Sequence, residues 1–74
     1  MWFLGVKHYM NKNNIARKLI KLRGEIPRSE VADELNISIS TLQMYENGQR
    51  IPKDEIKIKI ANYYGKTVQE IFFE

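Results

Sequence analysis

The chemistry open to this chain is set first by what it lacks. It has no cysteine and a single histidine, His8. That removes disulfides, thiolate nucleophiles and any multi-histidine metal cage. His8 reads as a surface or packing residue, since no second ligand accompanies it. There is no nucleophile–base pair, no glycine-rich phosphate loop and no carboxylate pair placed for acid–base work. No catalytic residue, cofactor-binding residue or metal ligand is assigned, and an enzyme is not expected. What the chain does carry is cations. Between Met1 and Arg28 stand Lys7, Lys12, Arg17, Lys18, Lys21, Arg23 and Arg28, against Glu25 alone. A second basic group is Arg50, Lys53, Lys57, Lys59 and Lys66. The net charge is +3 over 74 residues. Two basic clusters flanking a short helix suit a polyanion partner; the alternative is a solvated surface.

The short helix between those clusters lies in "SISTLQMYENGQRIP", Ser38 to Pro52. Ser38 is a suitable N-cap, and Gly48 can end the helix before a basic turn. Leu42 and Tyr45 face inward. Ile39 and Met44 then fall on outward positions, which is unusual on an otherwise polar helix.

Four further elements must hold this helix in place. "NNIARKLIKLRG" spaces Ile15, Leu19 and Leu22 at helical intervals, with Ala16 and Ile20 widening the stripe. Asn13 or Asn14 caps it, and Gly24 ends it. "PRSEVADELN" places Val31, Ala32 and Leu35 on one face, with Pro27 at the entrance and Asn36 in a left-handed position at the exit. Ile37 follows as a core residue of the turn. "PKDEIKIKIANYYG" alternates like a strand at Ile56, Ile58 and Ile60. Its Pro-Lys-Asp-Glu start and Gly65 stop favour a helix, and a lone strand would have no partner. That helix buries Ile56, Ile60, Tyr63 and Tyr64, with Ile58 partly buried at the margin. In "TVQEIFFE", Thr67 and Glu70 form a capping box ahead of Val68, Ile71 and Phe72. The expected architecture is all-α, five short helices around one core.

No stretch approaches a membrane span, and "MWFLGV" has neither the charged start nor the cleavage site of a signal peptide. A cytoplasmic protein is expected.

The second helix, its turn and the third helix carry the specific signal. Ala32 permits a close helix crossing, Asn36 turns the chain, and Leu42 and Tyr45 return to the core. With its ending "YENG", then a basic residue and proline, the stretch "RSEVADELNISISTLQMYENGQRIP" resembles the Cro/C1-type (XRE-like) helix-turn-helix family of transcriptional regulators. The resemblance runs from about Asn13 to Phe73. It implies a compact lambda-repressor-like DNA-binding domain over residues 13–74, preceded by an N-terminal extension over residues 1–12. It implies a recognition helix over 38–47 that enters the major groove of double-stranded DNA. On the matching positions, Ser38, Ile39, Ser40, Gln43 and Met44 would contact bases. Arg28, Ser29, Thr41, Asn47, Gln49 and Arg50 would contact the backbone. Arg23 and Glu46 would form a structural ion pair. The family usually has a polar cap where Pro27 stands and Gly where Asn36 stands.

These roles give Ile39 and Met44 a purpose against thymine methyl groups, with Ser40 and Gln43 as hydrogen-bonding readers. The alternative is that Ile39 packs on the N-terminal extension and Met44 is merely tolerated. The function implied is a sequence-specific transcriptional regulator, a repressor of phage or mobile-element type. It would act as a homodimer, formed in solution or only on DNA, on an inverted-repeat operator. The rival reading is a protein-interaction module of the same fold, an antitoxin or anti-repressor partner, with a surface drawn from Phe72, Phe73, Tyr63 and Tyr64; Phe72 and one tyrosine are expected in the core, which leaves Phe73 as the better contact. Residues 1–12 hold Trp2, Phe3 and Tyr9, and pack on the domain, mediate dimerisation, or precede a natural start at Met10.

Overall fold

The computed structural model describes residues 11–73. The readings of the N-terminal extension lie almost wholly outside that range. Among the described residues five helices follow in order: α1 Lys12–Arg23, α2 Arg28–Leu35, α3 Ile39–Glu46, α4 Asp54–Tyr64 and α5 Val68–Phe72. Helix α3 packs on α1 and α2, α4 on α2 and α5, and α5 closes back on α1. The all-helical class and the helix count agree with the sequence reading.

The core is built from Ile15, Leu19, Val31, Ala32, Leu35, Leu42, Tyr45, Ile60, Ala61, Ile71 and Phe72. Val31, Ile71 and Phe72 are inaccessible to solvent. Leu22, Ile37, Ile56, Tyr63, Tyr64, Val68 and Phe73 pack around that centre, partly buried.

The helix ends explain why the elements stop where they do. Asn11, not Asn13 or Asn14, caps α1. Its side chain accepts a hydrogen bond from the Asn14 amide at 2.9 Å. Pro27 stands at the capping position of α2, and no side chain caps that end. Asn36 takes the left-handed conformation, φ 58° and ψ 44°. Its amide reaches the Asp33 carbonyl, and the Ile37 amide reaches that of Ala32, the paired bonds of a Schellman ending. Helix α4 ends on the same pair of bonds at Gly65 and Lys66. The Thr67–Glu70 capping box of α5 is formed in both directions.

Two positions expected at the edges of the buried stripes prove exposed. Ile20 is 44% exposed and Ile58 is 54% exposed. On α4 the inward stripe is Lys57, Ile60, Ala61 and Tyr64, at i, i+3, i+4 and i+7. Ile58 lies 100° beyond Lys57, outside that stripe. Lys57 is 5% exposed instead. Its ammonium meets Asp54 Oδ1 at 3.3 Å and lies 5.8 Å from the centre of the Phe72 ring. The aliphatic stem fills the stripe while the charge reaches its edge. On α1, Ile20 sits 100° past Leu19, on the flank of the buried face.

Candidate nucleic-acid interface

Helix α3 divides cleanly around its circumference. Leu42, Tyr45 and Glu46 are buried, whereas Ile39, Ser40, Gln43 and Asn47 are exposed together. At 100° per residue these four fall on one face about a quarter-turn wide. Ile39 keeps 46% of its surface accessible. Thr41 and Met44 are half-buried on the next flank, so Met44 stands less openly than the outward position expected of it.

The start of α3 is organised by Ser38. Its Oγ accepts the Thr41 amide at 3.0 Å and donates to the Thr41 hydroxyl at 2.8 Å. Ser40 Oγ lies 3.3 Å from the same oxygen. Ser38 therefore spends its hydrogen-bonding capacity locally, while the Ser40 hydroxyl and the Gln43 amide stand on the open face.

The other end of α3 is set by Gly48, with φ +77°. The Gln49 amide returns to the Met44 carbonyl at 2.9 Å, and Gly48 to that of Tyr45 at 3.4 Å. A β-carbon on Gly48 would stand 2.9 Å from Asn13 Oδ1 and 3.6 Å from the Lys12 carbonyl oxygen. The α1 entrance thus lies against the α3–α4 turn. This brings Lys12 and Asn13 to the same end of the molecule as Gln49 and Arg50, all four exposed.

Behind the open face lies a charge cluster. The Glu46 side chain is fully buried, yet both its oxygens are paired. Arg23 Nε donates to Oε2 and Arg28 Nε donates to Oε1, each at 2.8 Å. These are distances of charge-assisted bonds. Arg23 also donates from Nη1 to the Ile26 carbonyl at 2.9 Å, pinning the α1–α2 turn. Arg28 is the more open partner, with 35% of its side chain exposed against 15% for Arg23. No buried side-chain nitrogen or oxygen among the described residues lacks a partner. Tyr64, from α4, lies beside this cluster. Burial pushes its phenol up to about 12, with Glu46 and Tyr63 adding to the effect and Arg23 opposing it.

The Arg28 bond to Glu46 is not legible in the sequence, where the family resemblance makes Arg28 a DNA-backbone contact. Nothing in the order of residues brings the first residue of α2 to the last of α3. The bond engages Nε of Arg28 and leaves its terminal nitrogens outside the pair. Ser29 is exposed beside it at the α2 entrance.

Among the described residues no group of three or more acidic or histidine side chains could hold a metal ion. None of the described helices is long and apolar enough to cross a membrane.

A family model described as helix-turn-helix matches residues 16–71, well over half of the chain. No curated protein and no solved structure gives a significant match.

Proposed function

The chain belongs to the Cro/C1-type helix-turn-helix family, whose domains bind double-stranded DNA, and we propose that it is a sequence-specific transcriptional repressor. The observation that carries this reading is the open outer face of α3, where Ile39, Ser40 and Gln43 stand exposed on a helix whose other side is locked into the core. A single such helix is the right size for the major groove.

The assignment of contacts follows. Ser40 and Gln43 hydrogen-bond to base edges, glutamine preferring adenine, and Ile39 packs against a thymine methyl group. Met44 supplies a second apolar contact from the flank, and Ser38 touches bases only where a base edge displaces the Ser40 hydroxyl from its Oγ. Arg28, Ser29, Thr41, Asn47, Gln49 and Arg50 fix register on the phosphates. The segment 38–47 contains neither lysine nor arginine. The commonest guanine contact is therefore missing, and the target leans towards A·T pairs. The regulator acts in the cytoplasm, in a phage or mobile-element setting. Its domain spans residues 13–74.

One recognition helix reads too few base pairs to stand out in a genome. Two copies on a two-fold axis, binding half-sites roughly 34 Å apart, supply the rest.

Selection of bound duplexes from a random library at physiological salt tests the reading. Enrichment of an A·T-leaning inverted repeat is the expected result. Failure to enrich any sequence would sink it. The second reading, a protein-interaction module, is favoured by one surface. Ile58, Val68 and Phe73 line a shallow groove between α4 and α5 with Asp54 and Lys57, and Ile58 is the most exposed of the large apolar side chains among the described residues.

A further inference from the structure

We infer that Glu46 is a positioning residue for DNA binding, acting through Arg28. The inference rests on the DNA-binding reading above and adds a residue that touches no base or phosphate.

The argument starts from the stoichiometry of the buried cluster. One carboxylate meets two guanidinium groups, Arg23 and Arg28. The cluster therefore carries one positive charge more than its own pairing needs. The two arginines are not equivalent. Arg23 is spent inside the fold, with Nε on Glu46 and Nη1 on the Ile26 carbonyl. Arg28 uses only Nε, and its side chain reaches solvent. The surplus charge is thus the outward one.

Geometry then decides what Arg28 can do. A guanidinium is planar and presents its donors in a fixed fork. With Nε held on Glu46 Oε1, the Nη groups keep a set direction at the first turn of α2, beside the exposed Ser29. They are ordered before any ligand arrives, so a phosphate oxygen that meets them does not also have to order a long side chain. Glu46 is the last residue of α3 and Arg28 the first of α2. The same bond therefore fixes the distance between a phosphate clamp and the base-reading helix. A lysine at position 28 could not copy this. Its three donors rotate on a single ammonium at the end of a flexible stem, so a bond to Glu46 would not hold the others in a fixed direction towards a phosphate.

The test uses the whole chain with two probes, the duplex enriched by selection and an unrelated 20-base-pair duplex, each titrated over a salt series. R28A lowers affinity for both, and the slope of log affinity against log salt falls by about 1. R28K retains the charge yet binds about tenfold more weakly than the wild type. E46Q weakens binding to both duplexes, and R28A/E46Q binds no more weakly than R28A alone. Thermal melts of each variant identify loss of folding; if E46Q does not fold, R28K carries the test. R28K binding as well as the wild type would overturn the inference and leave the DNA reading standing. Additive losses in the double variant would do the same. A wild-type chain that binds neither duplex would remove both.

Discussion

Glu46 places a negative charge where solvent does not reach, and it is tolerated only because two arginines meet it. Removing the carboxylate strands a largely buried Arg23, so Glu46→Ala costs about 3 kcal/mol in urea denaturation. Arg28→Ala costs under about 1 kcal/mol, because that arginine is partly solvated and Arg23 still answers Glu46. Equal losses at the two positions would contradict this order. Tyr64 gives a second residue-level prediction. Its phenol is held protonated up to about 12, above its ordinary value of 10.0. Stability that is fully present below pH 10 is therefore lost as pH rises towards 12, since only the unfolded chain ionises in that window. Urea midpoints measured at pH 9 and pH 11.5 will show a drop. In Tyr64→Phe this part of the drop disappears.

The elements owe their limits to a few residues with unusual backbones or caps. Gly48 is required twice, for its φ of +77° and for the closeness of Asn13 behind it. Gly48→Ala adds left-handed strain and a 2.9 Å approach, so it destabilises by roughly 2 kcal/mol. It also loosens the end of α3 from α1. Thermal melting reads the first effect, and amide exchange at Gln49 and Arg50 reads the second. Asn36 occupies a left-handed position that glycine fills with less strain. Asn36→Gly is accordingly neutral or stabilising, while Asn36→Ala costs about 1 kcal/mol. A stabilising alanine at position 36 would mean that the turn between α2 and α3 is not under that constraint.

The molecule as a whole offers a short helix with one open face on the side of a small core. The α3–α4 turn and the α1 entrance, at one end of that helix, both bring cations. For a two-fold dimer on an inverted repeat, binding to the full site is steeper and tighter than to a single half-site. Inserting five base pairs between the half-sites moves them onto opposite faces of the duplex and abolishes the gain. Gel-shift titrations of the three duplexes check this. Identical affinities for the half-site and the full site would remove the dimer and leave a monomeric binder.

Order and spacing place all five helices, although the cap of α1 falls on Asn11 rather than on Asn13 or Asn14. Alternating stop signals at Gly24, Asn36, Gly48 and Gly65 mark four ends in the sequence itself, and the left-handed or glycine-only backbone at each is a local property. The buried sets of α2 and α3 were equally legible, because a helical period fixes which residues share a face. The helix-turn-helix resemblance rests on that same local spacing. On α4 the sequence misled at two adjacent positions. Its alternating isoleucines place Ile58 at the margin of the buried stripe, and its charge places Lys57 in a basic cluster, yet the first is exposed and the second buried. Only the packing of α5 against α4 decided that the lysine stem fills the gap beside Phe72. The bond between Arg28 and Glu46 lay beyond the sequence for a related reason. The two residues are 18 apart, and a side-on pairing depends on how two helices cross. The helical period says which way each side chain points, but only the tertiary structure brings two such directions together.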